Sequence, residues 1–110
     1  MDVVFDVTDP RGKQVICTQD CWNNHILEAR SWMDGWEEYV AKAIEKPTFG
    51  IYEDANRPER NIYYLLHTKR DRYIKVVVSF DNEDKGVVIT AFPSDNMKAG
   101  EKLIWTASDQ

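Results

Sequence analysis

Apolar and polar positions alternate along much of this chain, in short runs separated by turn-forming residues. Residues 3–7 and 14–17 are β-branched and aromatic runs. Between them Asp9-Pro10-Arg11-Gly12 has the makings of a turn, with Pro presetting φ and Gly accepting φ > 0. The two runs therefore predict a hairpin. The period then changes. Thr18 can cap a helix, and Asp20 in its first turn suits the helix dipole. Trp22, Ile26 and Ala29 follow at helical spacing, with His25 on the same stripe. Asp34-Gly35-Trp36-Glu37 reads as a capping box. Trp36, Tyr39, Val40, Ala43 and Ile44 continue as an amphipathic helix that Pro47 stops.

Period two returns after Pro47. Residues 48–52, 61–67, 73–80 and 87–92 read as strands, and Pro93 ends the last. The connections are a polar loop at 53–59, a charged turn at 69–72 and an acidic hairpin loop at 81–86. In the tail, Leu103-Ile104-Trp105 docks as a short strand or a cover. This order predicts an α+β fold in a single domain, residues 1–110. An N-terminal hairpin and two helices pack on one face of a roughly four-stranded antiparallel sheet.

Alternation within 73–92 assigns faces. Ile74, Val76, Val78, Phe80, Ile89 and Ala91 turn toward the helices, whereas Lys75, Ser79 and Thr90 share the opposite face with Tyr73 and Phe92. A hairpin closed by Phe80 and Val87 sets Val77 opposite Thr90 and Lys75 opposite Phe92. Lys75 and Thr90 are then diagonal neighbours, an arrangement that a bulge or a one-residue slip would destroy. A cation, hydroxyls and aromatics on an open sheet face make a plausible phosphate or nucleic-acid surface.

Composition narrows the function. The 110 residues are 43% hydrophobic and 30% charged, and 19 acidic residues against 14 basic ones give a net charge of −5. That balance argues against a broad electrostatic footprint on nucleic acid, although not against a small basic site. Cys17 and Cys21 lack the further ligands of a metal site and read as reduced packing residues, so neither metal nor cofactor is expected. No basic, apolar leader opens the chain and no run is long enough to span a membrane, so the expected location is the cytoplasm.

Trp22 with His25-Ile26, the Tyr63-Tyr64 pair, Lys75-Val76-Val77-Val78, Thr90-Ala91-Phe92 and Gly100-Glu101 through Trp105 carry a resemblance. Over roughly residues 3 to 105 the sequence resembles the phage-associated branch of the barnase–EndoU–colicin–RelE nuclease fold. The resemblance implies a metal-independent endoribonuclease of toxin or phage-conflict type, which activates a ribose 2′-hydroxyl against the adjacent phosphate. His25 would be the acid/base, Lys75 would stabilise the phosphate's developing charge, and Thr90 would hold a phosphate oxygen. Arg60, Tyr64 and Tyr73 would contact substrate. RNA is then the expected partner, together with an antitoxin or other protein. The chain departs from the family in having Ala29-Arg30-Ser31-Trp32 where relatives often place a second histidine, in its acidity, and in the carboxylates of loop 53–59.

Plainer readings stand beside these. His25 is equally a core histidine bonded to a backbone carbonyl, and His67 a surface residue. Lys75 is equally a solvated charge, and Thr90 an ordinary strand residue. Trp22, Trp32 and Trp36 read as core. On the alternative function the same fold binds a nucleic acid or protein without catalysis. An immunity-type role against a basic nuclease is favoured if Glu53, Asp54, Glu59, Asp81, Glu83 and Asp84 gather on one side.

Overall fold

The structure, a computed structural model, describes residues 2–67, 72–95 and 101–106. Its strands are β1 (Val3–Thr8), β2 (Gln14–Thr18), β3 (Gly50–Glu53), β4 (Arg60–His67), β5 (Arg72–Asn82), β6 (Lys85–Ser94) and β7 (Lys102–Thr106). The expected turn at 69–72 falls largely outside the described residues, as do the His67 side chain and much of the tail. Between β2 and β3 lie α1 (Gln19–Cys21), which continues as a π-helical segment (Trp22–Leu27), a 3₁₀ turn (Ser31–Met33) and α2 (Glu37–Glu45).

The expectation of a roughly four-stranded antiparallel sheet of barnase–EndoU–colicin–RelE type is overturned. Among the described residues all seven strands form one mixed sheet, in the order β1-β2-β6-β5-β4-β3-β7. The N-terminal hairpin is part of this sheet, because β2 runs parallel to β6 through Gln14↔Lys85, Val15↔Gly86 and Ile16↔Val87. At the other end β7 pairs antiparallel with β3. Among the described residues, two short helical stretches and the 3₁₀ turn accompany the sheet.

Extra residues at Val4 in β1, Ile89 in β6 and Ile104 in β7 interrupt the ladders. Each such bulge increases local twist. Strands from both margins of the sheet accordingly pack on one core: Val4, Phe5 and Val7 from β1, and Ile104 and Trp105 from β7. The sheet is coiled around Val40, Ala43 and Ile44 of α2, Trp22 and Ile26 of the π segment, and Tyr63, Ile74, Val76 and Val78 of the central strands.

The first turn fastens this coil. Gly12 adopts φ 88°, as the turn requires. The Asp9 carboxylate, whose side chain is closed to solvent, accepts the Arg11 N–H at 2.8 Å and the Lys13 N–H at 3.1 Å. It also accepts from the Arg11 guanidinium at 2.7 Å and the Tyr63 hydroxyl at 2.9 Å. Arg11 in turn donates to Asn61 Oδ1 at 2.8 Å. The hairpin tip thus reaches across the sheet to β4.

Local chemistry explains the helices. The Thr18 hydroxyl caps α1 by accepting the Cys21 N–H at 3.1 Å. Past Ile16 the strand leaves β6, and the Cys21 thiol donates to the carbonyls of Val88 and Ile89 at 3.1 and 3.3 Å. The capping box expected at Asp34 is replaced: Trp36 occupies the cap position, and Glu37 reaches back to the Gly35 N–H at 3.1 Å. Trp22 is buried as expected, whereas Trp32 is 45% exposed and stands edge-on to Trp36.

Two side chains differ from the alternation because of the bulge. Val77↔Thr90 and Lys75↔Phe92 pair as expected, but the expected Phe80–Val87 closure is absent. Val87 faces Ser79, Val78 faces Val88, Ile89 becomes the extra residue, and a second shift between Ser79 and Asn82 restores the register. Val88 therefore enters the core in place of Ile89. Pro93 lies within β6 rather than after it, opposite Ile74 and beyond the reach of β2.

Two predictions follow from this packing. At Gly50 an added Cβ would collide with the Trp105 carbonyl oxygen and lie 2.8 Å from Leu103 Cδ1. Gly50→Ala is expected to cost about 3 kcal/mol and to detach β7 first. Hydrogen exchange checks this: β7 amides should lose protection while β5 and β6 keep theirs. Tyr63 predicts the alkaline limit. Burial, then the Asp9 carboxylate, pushes the Tyr63 phenol well up. In the unfolded chain this proton leaves near pH 10 (roughly, for a free phenol), so the folded state then binds more protons and stability falls as pH rises. Urea midpoints should decline above about pH 9 and decline less steeply in Tyr63→Phe.

Candidate functional site

Three neighbouring strands align Tyr64, Lys75 and Phe92 in one row, with Ile62, Val77 and Thr90 in the next. Strand alternation sends these side chains away from the helices. Within the row the Lys75 ammonium lies 5.7 Å from the ring centroids of both Tyr64 and Phe92. Lys75 is only 8% exposed. A buried ammonium needs a counter-charge, and Glu101 supplies it from the residue just before β7. Glu101 Oε2 accepts from Lys75 Nζ at 2.9 Å and Oε1 accepts from the Tyr64 hydroxyl at 2.6 Å. The Glu101 side chain is 6% exposed, so both oxygens are held in a largely dry environment.

Beside this pair opens a cavity of about 240 Å³. Arg60, Lys75, Thr90, Asn56 and Glu101 supply its polar lining, and Ile62, Val77, Ile89 and Phe92 its apolar wall. The bulge contributes directly by turning Ile89 as well as Thr90 to this side. Asp54 also lines the cavity, but its carboxylate is engaged by the Asn56 and Arg57 N–H groups at 2.8 and 3.2 Å. Among the described residues, Arg60 takes part in none of the ion pairs. The arrangement offers a guanidinium and a hydroxyl beside an ammonium already matched by a carboxylate.

Of the residues singled out by sequence, Lys75, Thr90 and Arg60 line this one cavity. Tyr64 is fully buried, so it offers its hydroxyl and not a ring face for stacking. Tyr73 is half-buried between Phe49 and Tyr64, with centroid separations of 5.8 and 6.0 Å, and does not line the cavity. His25 is exposed and is absent from the cavity wall. Its expected stripe assumed 3.6 residues per turn, and the wider π turn keeps Trp22 and Ile26 inward while leaving His25 and Ala29 outside. The chain after the segment reaches the site, since Arg30 stacks over Phe92 at 5.3 Å.

Glu101 is the residue whose role sequence reading did not reach. It precedes its strand, so alternation assigns it no face. The sequence held no signal for it, because alternation leaves this face open; it is the burial of Lys75 between two aromatics in the structure that demands an anion.

A second cavity, of about 350 Å³, lies by the first turn. Arg11 and Lys13 stand over Phe80 there, at 5.7 and 5.3 Å, and Glu53, Glu59, Asp81 and Glu83 share the lining. Among the described residues, no cluster of three or more His, Cys, Asp or Glu could hold a metal ion, and no helix is long and apolar enough to cross a membrane.

The Lys75–Glu101 pair carries a stability prediction. Glu101→Ala, which strands the buried ammonium, is expected to cost about 3–5 kcal/mol in urea unfolding. Combining it with Lys75→Met should recover most of that loss, giving a strongly non-additive cycle. Additive losses would mean that the pair is energetically idle.

No family model matches the chain, and comparison with curated proteins and with solved structures finds no match.

Proposed function

We propose that the chain is a metal-independent endoribonuclease that receives an RNA phosphate in the cavity of Arg60, Lys75 and Thr90. The observation supporting this reading is that those three side chains, singled out in the sequence, line a single cavity. Positive charge and a hydroxyl around one phosphate-sized space suit the negative charge that builds up when a 2′-hydroxyl attacks the adjacent phosphorus. That attack expels the 5′-oxygen and leaves a 2′,3′-cyclic phosphate, a reaction that needs no metal. His25 enters as a group that a bound strand would meet beyond Phe92 and Arg30, not as part of the cavity wall.

A non-catalytic reading has its own support. Glu101 already balances Lys75, and four acidic residues line the second cavity, which suits a domain that binds a basic partner.

Mixed RNA incubated with the purified chain in EDTA separates the two. Cleavage to cyclic-phosphate ends, reduced at least about tenfold in Arg60→Ala and Thr90→Val, is the expected result. Absence of cleavage, or cleavage by both variants equal to that of the parent chain, defeats the nuclease reading. If His25→Ala cleaves as well as the parent chain, His25 leaves the mechanism and the cavity remains.

A further inference from the structure

We infer that the Lys75–Tyr64 cradle is an oxyanion site that the chain fills with its own Glu101 carboxylate, and that a phosphate group binds by displacing it. The inference rests on the phosphate reading of the cavity and adds how that cavity is gated and which residue sets its selectivity.

The Glu101 contacts have the form of ligand recognition. One oxygen takes an ammonium proton and the other a phenolic proton, at 2.9 and 2.6 Å. A phosphate presents two oxygens in the same way. The cradle itself is rigid: Lys75 and Tyr64 are paired residues in central strands, and the Lys75 ammonium is flanked by the Tyr64 and Phe92 rings. Glu101 is held differently. Strand pairing of β7 begins at Lys102, opposite Glu53, so moving the Glu101 side chain breaks no ladder hydrogen bond. Next to the cradle, Arg60 and Thr90 line the same cavity. With Glu101 displaced, Lys75 and Arg60 present two positive charges to one space, against the single Asp54 carboxylate that the Asn56 and Arg57 N–H groups engage, which favours phosphate over a monoanionic carboxylate. Glu101 in place keeps the buried ammonium neutralised until such a ligand arrives.

The inference predicts that removing the internal carboxylate strengthens phosphate binding. Inorganic phosphate is titrated calorimetrically against the parent chain, Glu101→Gln, and Glu101→Gln combined with Lys75→Met. Acetate at matched ionic strength serves as the carboxylate arm. Glu101→Gln should bind phosphate at least roughly tenfold tighter than the parent chain, and more tightly than it binds acetate. The double variant should show no such gain. If Glu101→Gln folds poorly alone, phosphate-dependent recovery of its folded circular-dichroism signal, absent with acetate, gives the same answer. Equal or weaker phosphate binding by Glu101→Gln overturns the inference, as does a gain that survives Lys75→Met or is matched by acetate. Tighter phosphate binding without any RNA cleavage by the parent chain would defeat the nuclease reading alone.

Discussion

A single buried carboxylate, that of Asp9, underlies the shape of this molecule. It closes its own turn through two backbone N–H groups and holds Arg11 in a two-pronged ion pair. Through Arg11 and the Tyr63 hydroxyl it then binds the hairpin tip to β4. Removing it would leave the guanidinium and the phenol without their anion in a dry setting, so its value lies less in the bonds gained than in the groups it satisfies. Because Tyr63 is also a core residue, the polar tie and the hydrophobic core share a side chain. The sheet can coil only as far as this tie allows.

The same logic, with the charges reversed, operates on the other face. There a buried lysine is satisfied by a carboxylate from outside the central strands. The two ion pairs differ in anchorage, since Asp9 is fixed by its own backbone turn whereas Glu101 lies beyond the last paired residue of β7. One pair therefore suits architecture, and the other suits exchange with a ligand.

Much of this was readable from the chain, for identifiable reasons. Central strands announce themselves through β-branched runs, whereas the Val77↔Thr90 and Lys75↔Phe92 pairs stand because the hairpin's two register shifts cancel, not because Phe80 and Val87 close the loop. The width of the sheet was not readable. Three residue pairs join β2 to β6, and parallel contact between segments so far apart leaves no periodic trace. Alternation also presumes one residue per rung, which Ile89 violates, so Val88 and Ile89 exchange faces. A helical wheel presumes a constant turn, which the π segment violates at His25. Glu101 is the remaining case, a partner required by chemistry but located only by the path of the chain after β6.

The parallel β2–β6 contact also bears on the order of folding. The antiparallel meander from β3 to β6 joins neighbours in sequence and incurs small loop-closure costs, whereas β2 must find a strand from the far end of the chain. The N-terminal hairpin therefore has to wait for β6 before it gains its neighbour in the sheet. Until β6 is in place, Val15 and Cys17 have no strand to carry them into the core, and the Asp9 turn has no sheet across which to meet Tyr63 of β4.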